Sequence, residues 1–191
     1  MKIYAHRGAS IDFPEMTMDA YKAAVDQGAD GMECDVRLTK DNQILLWHDA
    51  DMKRTAGYSG RIAEMTYPQI KQQYPQAVLL EELLELARDN DMELAIETKH
   101  PVPQGSMVEK KVLELLEQEE LETDVVLMSF SWLAIENIRR INPQQKTVAL
   151  LHERLNYVMQ RFTSAPILGP SVELLRSNPE LAHAIKPLYV W

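Results

Sequence analysis

Apolar and polar positions along this chain of 191 residues follow two periods in turn. Runs of extended type, in which successive side chains point to opposite faces, are predicted over residues 3–5, 31–36, 93–99, 125–129, 147–151, 167–168 and from 188 onward. Stretches whose apolar residues recur at three and four positions follow most of them. They predict helices over 17–27, 81–90, 107–118, 132–141, 154–162 and 179–185, and a helical turn over 67–74. Thr17 is a plausible N-cap of the first helix, Met18, Tyr21 and Val25 share its face, and Gly28 ends it. Leu83, Leu84, Leu86 and Ala87 form the buried stripe of the 81–90 helix, and Val108, Val112, Leu115 and Leu116 that of the 107–118 helix. Asn142-Pro143 stops the helix that begins at Trp132. Strands alternating with helices imply a parallel sheet, and this many units imply a TIM-type (β/α) barrel. No repeat, low-complexity tract or linker divides the chain, so one domain over 1–191 is expected.

One connection breaks the alternation. Asp35 and His48 lie thirteen positions apart, and between them stands the turn-prone cluster Thr39-Lys40-Asp41-Asn42, with extended sequence on both sides. A parallel crossover needs a dozen or more residues, usually helical. An antiparallel hairpin with its turn near Asp41-Asn42 fits better and brings His48 back beside Asp35. Residues 50–66 show little periodicity and are expected to form a loop, a small lid over that end of the sheet.

The 31–36 strand also carries the first candidate chemistry. Glu33 and Asp35 point one way, and Met32, Cys34 and Val36 the other. Two carboxylates so close repel unless a cation sits between them. Oxygen donors of this kind suit Mg²⁺, Ca²⁺ or Mn²⁺. On spacing alone a solvent-facing strand edge, where acidic pairs are common, explains the pair better. Glu97 and Lys99 add a third carboxylate and a cation at another strand end. His6 and Arg7 stand just past the carboxyl end of the first strand, the usual address of chemistry in parallel α/β folds. His152 follows a strand end too, but no carboxylate neighbour is evident.

Composition narrows the function. Apolar residues make up 46% and charged residues 26%, ordinary values for a globular protein. A net charge of −9 argues against a nucleic-acid partner and means that any phosphate site must be made locally positive. The one cysteine, Cys34, forms no internal disulfide and fits a reducing compartment. The opening Met-Lys-Ile-Tyr-Ala-His lacks the apolar core of a signal peptide, and no apolar run reaches the ~18 residues of a membrane span. A cytoplasmic protein without stable membrane insertion is expected.

The ordered motifs carry a family resemblance. Ala5-His6-Arg7-Gly8-Ala9-Ser10, Pro14-Glu15, Gly28 to Asp41, Trp47-His48-Asp49, Arg54-Thr55, Ser59-Gly60 and Ile96-Glu97-Thr98-Lys99 resemble the glycerophosphodiester phosphodiesterases. Met128-Ser129-Phe130 and Tyr189-Val190-Trp191 continue the match more weakly. The resemblance implies a TIM-type barrel of the phospholipase-C-like kind, with the 35–48 hairpin as a small insertion. It implies hydrolysis of glycerophosphodiesters to sn-glycerol 3-phosphate and an alcohol, in lipid and glycerol metabolism, with a divalent metal ion (Mg²⁺ or Ca²⁺). Carried over residue by residue, Glu33, Asp35 and Glu97 would hold the metal. His6 and His48 would be general acid and base. Arg7 and Lys99 would contact phosphate, Glu15 would help order the site, and Trp191 would line the substrate pocket. Two departures are expected to matter. Met16 stands where the family usually has Asn. Beyond the Trp191 strand the family continues through another helix and a last strand, so the barrel is expected to be incomplete at its carboxyl end, with an open edge that favours a homo-oligomer. Two rival readings follow: a catalytically degenerate metal- or phosphate-binding protein, and a related lipid-directed phosphodiesterase.

Overall fold

The computed structural model describes residues 1–119, 122–152, 159, 161–183 and 186–191. The chain divides into two compact units, Met1–Val125 and Val126–Trp191.

In the first unit, β1 (Tyr4–His6), β2 (Gly31–Leu38) and β4 (Glu93–Thr98) run parallel with β2 in the middle. The registers set His6 opposite Glu33 and Asp35 opposite Glu97. β3 (Ile44–Leu46) returns antiparallel on the carboxyl end of β2, with Val36 opposite Leu46. Its turn is held by Thr39, whose N–H donates to the Gln43 carbonyl (3.0 Å) and whose hydroxyl accepts from the Gln43 N–H (2.9 Å).

Residues 31–36 are buried without a break. A central parallel strand covered on both faces explains this, and helices supply much of the cover. α1 (Met18–Asp26) contributes Ala20, Tyr21 and Ala24 to the core. Thr17 caps it, accepting from the Ala20 N–H, and Gly28 follows it with φ +76°. α4 (Leu80–Asp89) buries Leu80, Leu83, Leu84 and Ala87. α5 (Met107–Glu119) departs from its expected stripe: Val108, Glu109, Val112 and Leu113 are buried, and Leu115 and Leu116 only partly. The buried face is turned by one residue because Glu109 finds a partner inside, His100 Nε2 at 2.6 Å.

The 50–66 segment is more ordered than the expected loop. It holds α2 (Lys53–Ala56) and a 3₁₀ turn, Ile62–Glu64. Met52 and Ile62 are buried in a satellite core with Leu45, Trp47, Ile70 and Ala77, beside α3 (Tyr67–Gln73). Two anchors ten residues apart leave no periodic trace, so the pattern of the sequence cannot show them.

In the second unit, β5 (Val125–Ser129), β6 (Lys146–Leu151) and β7 (Ile167–Pro170) are parallel, and Leu188 forms a further parallel bridge to Leu168. Ser131 caps α6 (Trp132–Ile141) by accepting from the Ala134 N–H. A short helix absent from the sequence reading, α7 (Val172–Ser177), is capped in the same way by Ser171. Residues 179–183 form a 3₁₀ turn where an α-helix was expected. The expected 154–162 helix falls largely outside the described residues. Ile135, Ala149, Leu151, Met159, Ala165, Leu168 and Leu174 form this unit's core. Both units are thus parallel strands backed by helices, the repeat from which a TIM-type barrel is built.

Candidate active site

The carboxyl ends of β1, β2 and β4 and the segments that leave them hold eight of the nine residues singled out above. Glu33, Asp35 and Glu97 are all buried, and one oxygen from each lies within 4.8 Å of the others. The strand period and register cause this: Glu33 and Asp35 share one face of β2, and Asp35 stands opposite Glu97 of β4.

Two cations enter the cluster. Arg7 Nε lies 2.9 Å from Asp35 Oδ2, and Lys99 Nζ lies 3.2 Å from Asp35 Oδ1 and 2.8 Å from Glu97 Oε1. Neither Asp35 oxygen receives a hydrogen bond of good angle, although both are fully buried. Three carboxylates against two cations leave a net negative, oxygen-rich pocket. Burial first, then Asp35 and Glu97, push the Glu33 carboxyl well above the usual range. Burial and Asp35 push Glu97 up to about 7, against the pull of Lys99. A hard divalent cation held by Glu33, Asp35 and Glu97 fits this donor set, because it would replace the protons that the cluster otherwise retains.

The segment after β1 is shaped to present His6 and Arg7. Arg7 and Gly8 both adopt positive φ (59° and 79°), and the Arg7 N–H donates to the Glu33 carbonyl at 3.1 Å. A Cβ on Gly8 would stand 2.7 Å from the Ala20 carbonyl carbon, so the turn can press against α1 only as glycine. His6 Nε2 lies 3.8 Å from Glu33 Oε2. Its surroundings lower its pKa below 6.5, chiefly through partial burial and then the Arg7 charge, so the ring is neutral near neutrality. Met16 closes the segment, its N–H donating to the Arg7 carbonyl at 2.9 Å with φ +54°. Asparagine is tolerated in that left-handed region better than methionine.

His48 arrives by the β2–β3 turn. The Trp47 N–H donates to the Asp35 carbonyl (2.9 Å), and Arg37 Nε donates to the His48 carbonyl (3.0 Å), so the histidine's backbone is tied to β2 at both points. His48 Nδ1 lies 2.7 Å from Asp49 Oδ1. Burial works to raise the Asp49 carboxyl, but hydrogen bonds from His48 and Arg54 outweigh it and hold it below the usual range. An ionised carboxylate only accepts, so Nδ1 carries the proton and Nε2 is left for other work.

Glu15 bridges Arg7 NH1 (3.3 Å) and Arg54 NH2 (2.6 Å). Asp49 and Arg54 received no role from the sequence reading. The signal for each lies in the motifs of the resemblance, Trp47-His48-Asp49 and Arg54-Thr55. Trp191 belongs to the second unit, where its indole N–H donates to the Gly169 carbonyl (2.8 Å) and its ring packs edge-on to Phe130 at 5.2 Å.

Comparison with known proteins bears on the family and the fold. A family model described as the glycerophosphoryl diester phosphodiesterase family matches residues 6–188. The chain is similar to a probable glycerophosphodiester phosphodiesterase of Mycobacterium tuberculosis, 34% identical over 99% of this chain and 80% of that protein. It is likewise 34% identical to a glycerophosphodiester phosphodiesterase of Bacillus altitudinis, over 96% of this chain and 81% of the relative. Among solved structures, the glycerophosphodiester phosphodiesterase of Thermotoga maritima superposes with a TM-score of 0.79 at 25% identity, over 100% of this chain and 85% of that one. An Oleispira antarctica phosphodiesterase, solved with the product sn-glycerol-3-phosphate, shares the fold with a TM-score of 0.88 at 21% identity, over 100% and 84% of the two chains.

Proposed function

This chain belongs to the glycerophosphoryl diester phosphodiesterase family, and from that premise we propose that it hydrolyses small glycerophosphodiesters to sn-glycerol 3-phosphate and an alcohol with a divalent metal and two histidines. The observation that carries the reading is the trio Glu33, Asp35 and Glu97, buried within 4.8 Å of one another beside Arg7 and Lys99. A buried acidic trio is costly unless it serves a cation.

When bound by Glu33, Asp35 and Glu97, Mg²⁺ or Ca²⁺ would supply charge neutralisation at the phosphoryl oxygens. Arg7 and Lys99 bind and orient the anionic phosphate, whose long-range approach is opposed by the chain's net charge of −9. His6, held neutral, takes the proton from the attacking hydroxyl. His48 starts as the imidazolium, with its Nδ1 proton held by the Asp49 carboxylate, gives the Nε2 proton to the departing oxygen and is left neutral. The attacking hydroxyl is the substrate's own glycerol group, and water then opens the cyclic phosphate with the two histidines exchanging roles. Glu15 orders Arg7. The single domain is a TIM-type barrel with the β2–β3 hairpin as an insertion, and it works in the cytoplasm, as monomer or homo-oligomer. Among the described residues no helix is long and apolar enough to cross a membrane.

The test is release of glycerol 3-phosphate from glycerophosphocholine and glycerophosphoethanolamine with and without EDTA. Activity lost to EDTA and restored by Mg²⁺ or Ca²⁺ is expected. Full activity in EDTA would overturn the metal reading. Metal binding without turnover would favour a catalytically degenerate binding protein, and preference for lysophospholipids a lipid-directed enzyme.

A further inference from the structure

Arg54 sits on α2, a four-residue helix anchored by the fully buried Met52 and stopped by Gly57 in the left-handed conformation. Its guanidinium reaches two carboxylates from different parts of the chain. Nε lies 2.6 Å from Asp49 Oδ2, and NH2 lies 2.6 Å from Glu15 Oε1, which is 39 residues away in sequence. The other oxygen of each carboxylate is also taken. Asp49 Oδ1 holds His48 Nδ1 at 2.7 Å, and Glu15 Oε2 holds Arg7 NH1 at 3.3 Å. The chain of contacts therefore runs His48–Asp49–Arg54–Glu15–Arg7, with Arg54 in the middle.

We propose that Arg54 is a positioning residue that fixes the two working groups at once, His48 through Asp49 and Arg7 through Glu15. Half of its side chain is exposed, so its ion pairs add little to stability. What they add is geometry. A guanidinium presents its donors in a rigid plane, so two carboxylates bound to different nitrogens of it are held at a set separation and angle. That is the requirement for a general acid and a phosphate-binding cation that must meet one substrate. A lysine at this position carries the same charge on one rotatable point and can hold one carboxylate well, but not both.

The inference rests on the proposed proton-transfer role of His48, so its test needs a readout that does not depend on turnover. Imidazole ¹⁵N spectra of the whole protein supply one. In the wild type the neutral His48 ring is expected to carry its proton on Nδ1. In Arg54→Ala the Asp49 carboxylate is no longer held, and the proton is expected to redistribute between the two nitrogens, as it does in Asp49→Ala. In the glycerophosphocholine assay Arg54→Ala is expected to lower kcat roughly 10- to 100-fold, as loss of an orienting partner commonly does. Arg54→Lys is expected to recover part of that loss. The double variant Arg54→Ala/Asp49→Ala is expected to lose less than the product of the two single losses, because the Asp49 arm is shared and only the Glu15 arm adds to it. Unchanged His48 resonances in Arg54→Ala would overturn the proposal whatever the activity. So would a kcat within about threefold of wild type while His48→Ala is inactive. Near-normal activity of His48→Ala would instead overturn the catalytic reading of His48, and the spectra would still decide whether Arg54 positions it.

Discussion

Stripped of divalent ions, the protein is expected to lose stability as pH rises from about 5 to about 7.5, against the usual behaviour of a buried salt-bridged carboxylate. The cause is Glu97, which burial and the neighbouring Asp35 shift from an ordinary 4.5 to about 7. In that interval the native chain holds a proton that the unfolded chain has released. The stabilisation is complete below the unfolded value and is lost as pH climbs through the folded one. Each pH unit is worth ~1.4 kcal/mol per proton, so the interval amounts to about 3 kcal/mol. Glu33 acts in the same direction, also raised by burial and its two carboxylate neighbours. His6 acts in the opposite direction below 6.5, because its folded value is lowered, so a control is needed. Glu97→Gln removes the titrating group and is expected to flatten the curve by most of that amount. The assay is urea unfolding in EDTA across this pH range, for wild type and Glu97→Gln. Adding Mg²⁺ is expected to stabilise the wild type more at the upper end than the lower, by ~2.7 kcal/mol at a hundredfold excess over Kd, since the ion needs ionised ligands. Parallel curves for wild type and Glu97→Gln in EDTA would refute the reasoning, and so would a Mg²⁺ effect independent of pH.

His6→Ala and His48→Ala are each expected to lower kcat/KM by ~10² to 10⁴ in the glycerophosphocholine assay, with circular dichroism and Tm close to wild type; normal turnover in both would remove them from the chemistry. Gly8→Ala is expected to cost at least about 2 kcal/mol in urea unfolding, because it combines a positive φ with a Cβ 2.7 Å from the Ala20 backbone. Leu84→Ala, at a fully buried position of α4, is expected to cost 2–5 kcal/mol, with turnover per folded molecule unchanged.

Much of this site was legible because its logic is local. Glu33 and Asp35 share a face by the period of a strand, His6 closes the first strand, and the turn cluster at Thr39–Asn42 returns the chain antiparallel to β2. The expected helices in the first unit fall within a residue or two of the observed ones, since their caps and apolar stripes lie within the helices themselves. The misreadings share a cause. The face of α5 turned because a buried Glu109 met His100, a partner from another element. α7 was missed because six residues are too few to display a period. The 50–66 segment read as a loop because its two anchors follow no repeat.

The sequence by itself determined the alternation of strands and helices and the residue types that supply oxygen donors, cations and imidazoles, because periods, caps and motif spacing are properties of short stretches. Only the tertiary structure decided that Arg7 and Lys99 enter the carboxylate trio and that Arg54 joins Asp49 to Glu15. Those contacts join residues on different strands and loops. Their distances depend on strand register and on the paths of the intervening turns, and no local pattern of side chains encodes either.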